Sequence, residues 1–299
     1  MAEDSYGIVK KIIFRLVRKH IAGSTSASAI KTIKQLNEKN LHATLTFMSE
    51  APQTQAKAKY NVNTYVQISK EMSRLSVDSD ISLRLSQIGY NISAKTAEDG
   101  IKDILASKDE KAKLWIEAES AVPEAETLEF ASQLNGVGVE LPVYTALDLY
   151  KTRLADIKNC HVKINPLRLS AAGARHREPP KVKGAKDQKA DHIEVYKDAI
   201  GKIMPAAKSL AVFSNEERLL IKLASCSSEY RKNLIFELPL GYNKKRMNIL
   251  RKMKPSTSIY VAYGSDWVPF IVDRFTEGHI RDIAKAVLAS RQSKGMGNA

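Results

Sequence analysis

Short runs of aliphatic, β-branched and aromatic residues recur along the chain, separated by longer stretches with helical spacing of apolar positions. Runs of this kind predict strands, and amphipathic segments such as 96–106 and 124–134 predict helices between them. Regular alternation of strand and helix favours a parallel sheet covered by helices. The eight predicted strands are 41–47, 81–86, 114–119, 137–143, 161–164, 209–214, 233–239 and 258–263.

Eight strands that alternate with helices predict an α/β fold, a (β/α)8 TIM-like barrel. The 299 residues suit one such domain, and 43% hydrophobic with 27% charged residues excludes a disordered or fibrous chain. We therefore predict a basic amphipathic helix within residues 1–22, a barrel over 23–290 and a flexible tail at 291–299.

Two segments carry dense basic charge in a chain whose formal net charge is +14. Residues 6–20 alternate apolar and basic positions at helical spacing, and Gly23 with the Ser/Thr cluster after it predicts a break before a helix at 27–40. The segment 168–189 is rich in Gly, Pro and basic residues and predicts a long loop. The helix either caps one end of the barrel or docks on an anionic surface, a membrane or a nucleic acid. The loop is a lid, a nucleic-acid-contacting arm or a solvated insertion.

Several function classes find no support in the sequence. Cys160 and Cys226 are too few for a disulfide framework, which favours a cytoplasmic protein with peripheral membrane association left open. No apolar run reaches the length of a membrane span. The six histidines lack zinc-ligand spacing, and neither a phosphate-binding glycine motif nor a serine nucleophile elbow is present.

Active sites of such barrels lie where strands end and the following loops begin. Cations and carboxylates that converge there suit an anionic or zwitterionic ligand. A structural ion network inside the barrel is the alternative interpretation of Arg84 and Glu117. The polar candidates at predicted strand ends are Glu50, Arg84, Ser86, Glu117, Glu119, Tyr144, Lys163, Arg168, Ser214, Asn215, Glu237, Tyr260 and Tyr263.

Several collinear blocks extend from Ile21 to nearly the C-terminus. They are Ala22-Gly23, Leu41-His-Ala-Thr-Leu45, Ile81-Ser-Leu-Arg-Leu-Ser-Gln-Ile-Gly89, Ile116-Glu-Ala-Glu-Ser120, Glu126-Thr-Leu128, Tyr260-Val-Ala-Tyr-Gly-Ser-Asp-Trp-Val-Pro-Phe270 and Asp273-Arg-Phe-Thr-Glu277. Together these blocks resemble the FAD-dependent proline dehydrogenase family. The resemblance implies a variant (β/α)8 barrel in which FAD takes hydride from the ring of proline.

The resemblance implies a substrate site with marked departures from the family. Arg84 stands where the family has a lysine that meets the proline carboxylate, and Glu117 stands for its aspartate. Tyr260 is an intact match, and Arg274 keeps one of two carboxylate-binding arginines, whereas Asp273 replaces the other. A carboxylate substrate is thus expected to lose one cation and to face an added anion.

The flavin contacts implied by the resemblance are also altered. The family's R-L-V-K-G-A-Y block corresponds to either Lys163 or Arg168, with the register left open. Ser214 begins the counterpart of a T-H-D block, Glu237 replaces a glutamine and Pro142 replaces a flavin-contacting glutamine. Residues that build the barrel are kept, while residues that contact the ligands change.

Three functional hypotheses follow. The first is a flavoenzyme that oxidises proline or a related amino or imino acid. The second is a catalytically degenerate barrel that serves as a basic binding or regulatory protein for nucleic acid or an anionic membrane surface. The third is a protein of the lipid surface, because the family passes electrons to membrane quinones and a basic helix suits anionic lipid.

Overall fold

A closed barrel of eight parallel strands forms the centre of the computed structural model, which describes residues 18–119, 121–165, 188–214, 217–225, 234–241 and 256–267. Each strand pairs with the next along the chain, and β8 pairs with β1. The (β/α)8 TIM-like fold predicted from the sequence is confirmed. The strands are β1 His42–Phe47, β2 Ser79–Leu83, β3 Leu114–Ile116, β4 Val137–Pro142, β5 His161–Asn165, β6 Ser209–Phe213, β7 Leu234–Pro239 and β8 Ser256–Tyr263.

Helices cover the outside of the barrel, and three of them begin at a side-chain cap. The side chains of Thr25, Thr54 and Ser93 each accept a hydrogen bond from a backbone amide in the first turn. These amides have no acceptor within the helix itself. The helices are α1 Ser26–Asn37, α2 Gln55–Arg74, α3 Ala94–Ser107, α4 Glu124–Ser132, α5 Val143–Thr152, α6 Leu154–Asn159, α7 Gln188–Ile203 and α8 Glu217–Ser225, with 3-10 turns at Arg18–His20 and Leu85–Ile88.

The largest differences from the predicted boundaries are at β2 and β3. The strand predicted at 81–86 spans Ser79–Leu83, because the backbone amide of Arg84 turns to the Gln87 side chain at 3.0 Å and a 3-10 turn follows. The strand predicted at 114–119 ends at Ile116, so the following carboxylates lie beyond the strand. The helix predicted at 27–40 ends at Asn37.

The described part of the N-terminal segment contacts the ends of β7 and β8. The Nδ1 atom of His20 lies 2.6 Å from the Leu240 carbonyl oxygen, and the Ala22 amide donates to the Ala262 carbonyl at 2.8 Å. Most of the predicted basic helix and of the 168–189 loop lies outside the described residues, as does the tail at 291–299, so their roles stay predictions. Across the part of the chain that is described, no helix is both long and apolar enough to cross a bilayer.

The strands alternate between an apolar outer face and a polar inner face. Outer residues such as Leu45, Leu83 and Val139 are buried in the hydrophobic core against the helices. Inner side chains are identified by contacts between strands that are not neighbours: Thr44 of β1 with Glu237 of β7, and Lys163 of β5 with Trp115 of β3. Bulky branched residues usually fill this interior, whereas here it holds hydroxyl, carboxylate and ammonium groups.

Gly138 of β4 makes room for the indole ring that fills one end of this interior. A Cβ at this position would lie 2.6 Å from Cε3 of Trp115 and 3.0 Å from the Cβ of His161. Trp115 is held in place because its Nε1 donates to the Asp80 carboxylate at 2.9 Å. A side chain at residue 138 would therefore displace a buried ring rather than a flexible neighbour.

We expect Gly138→Ala to lower stability by about 1–3 kcal/mol, the usual cost of overpacking a core. Gly201→Ala is the matched control, because nothing lies within 4 Å of a Cβ added on α7 and alanine favours a helix. Urea unfolding of both variants measures the effect. An unchanged midpoint for Gly138→Ala would show that Trp115 can move at little cost.

A histidine bridges two aspartates at the end of the barrel where the strands begin. The Nδ1 atom of His42 lies 2.7 Å from Asp78, and its Nε2 atom lies 3.3 Å from Asp80. Burial acts to lower the pKa of His42, but the hydrogen bonds and charges of both aspartates raise it above its ordinary value. Burial acts to raise the pKa of Asp80, while His42 and Lys113 lower it to about 2.

These shifts predict opposite pH dependences for the two partners. The contribution of His42 to stability is complete below its unfolded pKa of about 6.5 and is lost as the pH rises through the higher folded pKa. The contribution of Asp80 is complete above about pH 4 and is lost as the pH falls toward its folded pKa.

We expect His42→Gln to destabilise the protein more below about pH 6 than above about pH 8, measured by urea unfolding. A constant difference across that range would contradict the charged bridge.

Candidate active site at the barrel mouth

A cavity of about 230 Å³ opens at the carboxyl ends of β1, β2, β3 and β8. Five of the predicted candidates line it: Glu50, Arg84 just after β2, Ser86, Glu117 just after β3 and Tyr260 within β8. The cavity is smaller than the usual 300–1,000 Å³ of drug-sized sites, so it suits a small molecule. Its described lining residues are Thr46, Phe47, Met48, Ser49, Glu50, Ala51, Arg84, Ser86, Gln87, Glu117, Tyr260 and Asp266.

Glu117 joins the three elements of the site through its two carboxylate oxygens. Oε1 accepts from the hydroxyl of Tyr260 and, at 2.8 Å, from the hydroxyl of Ser82. Oε2 lies 3.5 Å from Nε of Arg84. Glu117 is only 2% exposed, and a buried carboxylate is stable only with such partners. The two hydroxyls thus fix which oxygen faces the guanidinium.

Gln87 connects two walls of the cavity, which are the segment after β1 and the segment after β2. Its Nε2 donates to the carbonyl oxygens of Phe47 at 2.9 Å and Ser49 at 3.1 Å, both in the chain that leaves β1. Its Oε1 accepts from the backbone amide of Arg84 at 3.0 Å. One side chain therefore sets the position of the first wall relative to the arginine on the second.

A second carboxylate fixes the turn after β2. Glu119 accepts from the backbone amide of Ser86 at 2.8 Å and from the Ser86 hydroxyl at 2.5 Å. Burial raises the pKa of Glu119, although the two hydrogen bonds from Ser86 oppose that rise. The predicted candidates Ser86 and Glu119 therefore hold each other in place, and Ser86 also lines the cavity.

Beneath the mouth, a buried ion pair crosses the barrel. Nζ of Lys163 lies 2.6 Å from Oε2 of Glu237, and Oε1 of Glu237 accepts from the Thr44 hydroxyl at 2.5 Å. The ammonium group also lies 4.6 Å from the centre of the Trp115 ring, within range of a cation–π contact. Lys163 is 0% exposed and Glu237 is 1% exposed. Burial raises the pKa of Glu237, and the charge of Lys163 opposes that rise.

The remaining predicted site residues lie away from the mouth cavity or outside the described residues. None of Lys163, Ser214 and Glu237 lines the described cavity, and the backbone amide of Ser214 donates to the carbonyl of Glu237 at 3.1 Å. Register places Glu237 beside Ser258, two residues below the level of Tyr260 on β8. A flavin contact by any of these three stays a prediction. Arg168, Asn215, Asp273 and Arg274 lie outside the described residues.

Sequence reasoning missed Ser82, Gln87 and Asp266 as members of the site. Ser82 lies two residues before Arg84, so strand alternation directs it to the same side, and this signal was available. Gln87 acts through bonds to backbone atoms of a distant loop, which no residue pattern reveals. Asp266 lies within a block of family resemblance, but no motif around it marks it as a site residue.

Comparison with known proteins finds curated relatives of similar length. The chain is 25% identical over 265 residues to proline dehydrogenase 1 of Bacillus subtilis subsp. natto, covering 87% of this chain and 86% of that protein. It is also 25% identical over 267 residues to proline dehydrogenase 2 of B. subtilis strain 168, covering 87% of this chain and 85% of that protein. The predicted resemblance to the proline dehydrogenase family is confirmed. No family model matches the chain.

Solved structures show the same fold. Proline utilization A from Bdellovibrio bacteriovorus, inactivated by N-propargylglycine, matches with a TM-score of 0.68 at 14% identity over 94% of this chain. Proline utilization A from Corynebacterium freiburgense matches with a TM-score of 0.63 at 12% identity over 97% of this chain. The chain spans only 33% and 34% of those two proteins, respectively, and at these identities the likeness shows the fold alone.

The buried ion pair predicts how stability changes when one or both of its charges are removed. Lys163→Met leaves the buried carboxyl group of Glu237 without its cation and is expected to cost about 3–5 kcal/mol, the typical penalty for breaking such a pair. The double variant Lys163→Met/Glu237→Met removes both charges and is expected to recover part of that loss. Urea unfolding of both variants tests this. Equal losses in the single and double variants would contradict a direct pairing.

Proposed function

We propose that the chain is a proline dehydrogenase-like oxidoreductase that binds proline or a related amino or imino acid at the barrel mouth and uses FAD. One observation supports this most strongly: Arg84, Glu117 and Tyr260 converge on one cavity at the end of the barrel where such folds carry their chemistry. The alignment with two proline dehydrogenases over 87% of the chain supports the reaction class.

The proposal gives each of these residues a role that follows from its contacts. Arg84 supplies the positive charge of the described cavity, and Glu117 holds that charge in place. Tyr260 orients Glu117 through its hydroxyl, while its ring packs edge-on against Phe213 at 5.6 Å. Arg274 is proposed as a further substrate-binding residue on the resemblance alone.

FAD would supply the acceptor for hydride from the carbon beside the amine nitrogen. Lys163, Ser214 and Glu237 fit a supporting position beneath such a group better than direct contact with it, because each is buried and none lines the described cavity. Arg168 is proposed as a contact from the resemblance. Pro142, which replaces a flavin-contacting glutamine, has no side-chain donor to offer.

A second candidate function is a barrel that has lost FAD and serves as a basic binding or regulatory protein. The closed pair of Lys163 and Glu237 favours it, because two charges that neutralise each other are not available to a cofactor. The net charge of +14 supports an anionic surface as partner, either nucleic acid or a membrane, in a cytoplasmic setting. The N-terminal helix and the 168–189 loop are the proposed contact segments.

The visible absorbance spectrum of the purified protein distinguishes the two candidates. An oxidoreductase of this type is expected to show flavin bands that bleach when L-proline or a related amino or imino acid is added without oxygen. Tyr260→Phe should slow bleaching about tenfold to a hundredfold, because Glu117 loses one charge-assisted hydrogen bond.

Tyr60→Phe is the matched control, since this tyrosine is 56% exposed on the outer helix α2. It should bleach at the wild-type rate. Absence of flavin bands, also after addition of FAD, would favour the binding protein. A Tyr260→Phe variant that bleaches as fast as wild type would remove Tyr260 from the proposed site.

A further inference from the structure

Two buried polar side chains of α2, a helix outside the barrel, contact the segments that form the mouth. Asn61 and Tyr65 are both 0% exposed, and their spacing of four residues places them on one face of the helix. Nδ2 of Asn61 donates to the backbone carbonyl of Gln87 at 2.8 Å. Buried polar groups are costly unless they are hydrogen-bonded, so this face of α2 and its partners hold each other in position.

The hydroxyl of Tyr65 lies where β1 and β2 separate. The last paired residues of these two strands are Thr46 and Ser82. The hydroxyl oxygen accepts from the backbone amide of Phe47 at 3.3 Å. It also lies 3.2 Å from the Ser82 carbonyl oxygen, 3.3 Å from the Phe47 carbonyl oxygen and 3.4 Å from Oε1 of Gln87. Its single hydrogen is donated to one of these three oxygens at a time. Tyr65 therefore holds the two strand ends together beyond the last paired residues.

One branch of these contacts leads to the carboxylate of the site. Ser82, whose carbonyl faces Tyr65, donates its hydroxyl to Oε1 of Glu117 at 2.8 Å. Burial raises the pKa of Tyr65, and the charge of Glu117 raises it further. The phenol therefore stays protonated at neutral pH and remains both a donor and an acceptor.

The other branch leads to the arginine of the site. Oε1 of Gln87, which faces Tyr65, accepts from the backbone amide of Arg84 at 3.0 Å. Nε of Arg84 lies 3.5 Å from Oε2 of Glu117. Neither Asn61 nor Tyr65 is among the described residues that line the cavity. They therefore act on a ligand only through the residues that they hold.

We propose that Tyr65, supported by Asn61, is a positioning residue of the candidate active site. Its hydroxyl fixes the ends of β1 and β2 together with Gln87, and this arrangement places Arg84 and Glu117 at the cavity. The effect on the reaction rests on the proposed function. The effect on the backbone of Arg84 is independent of any ligand or cofactor.

Hydrogen exchange of the full chain without ligand tests the placement directly. In Tyr65→Phe, the backbone amides of Phe47 and Arg84 are expected to exchange about fivefold to tenfold faster, the effect of losing one hydrogen bond on a local opening equilibrium. Amides of β5, four strands away from β1 around the barrel, should exchange at the wild-type rate.

A second variant and a control accompany this measurement. Asn61→Ala removes the donor to the Gln87 carbonyl and should also accelerate exchange at Arg84. Tyr60→Phe is the matched control, because this tyrosine is 56% exposed on the same helix. It should leave the exchange of Phe47, Arg84 and β5 unchanged.

Steady-state kinetics of the flavin-containing protein test the consequence for the reaction. Tyr65→Phe is expected to lower kcat/KM for L-proline about tenfold to a hundredfold at unchanged flavin content, because small misplacements of binding groups are costly. Gln87→Met should have a similar effect. The double variant Tyr65→Phe/Gln87→Met should lose little more than either single variant, since both residues act through one path.

The outcomes separate this inference from the proposed function. Equal acceleration of the β5 amides in Tyr65→Phe would indicate a loss of global stability and would overturn the inference. Unchanged exchange at Arg84 in both Tyr65→Phe and Asn61→Ala would also overturn it, as would an unchanged kcat/KM in a protein that contains flavin. Local acceleration in a protein without flavin bands would keep the placement of Arg84 by Tyr65 and contradict the oxidoreductase alone.

Discussion

The need to satisfy polar groups inside a closed barrel governs this structure. Thr44, Lys163 and Glu237 come from β1, β5 and β7, and none of these strands is a neighbour of another of the three. A charge that is removed from water is stable only when a partner offsets it. The strands must therefore keep a register in which these three side chains meet. In that register the apolar outer faces of the strands can pack against the helices.

The same requirement shapes the mouth. Glu117 is as buried as an apolar core residue, yet polar groups surround it: Ser82 of β2, Tyr260 of β8 and Arg84 just after β2. Partners that stabilise the carboxylate also fix the arginine beside the cavity. The contacts that stabilise the buried carboxylate therefore also set the geometry of the candidate site.

The fold was predictable because alternation repeats eight times and each strand is marked by its own apolar residues. The candidate site was predictable in part, since Arg84, Glu117 and Tyr260 stand at strand ends and in blocks of family resemblance. The pairing of Lys163 with Glu237 was not, because barrel closure brings together residues far apart in sequence. Gln87 was not predicted as a site residue, because its partners are backbone carbonyls, which have no sequence signature.

The amide of Gln87 has a mechanical consequence for the cavity. It bonds to two carbonyls of the segment after β1 and to the amide of Arg84, so a displacement of either wall is transmitted to the other. A shift of the segment after β1 therefore also moves the backbone of Arg84, whose guanidinium lies 3.5 Å from Glu117. The width of the cavity and the position of its described cation are thus set by one side chain.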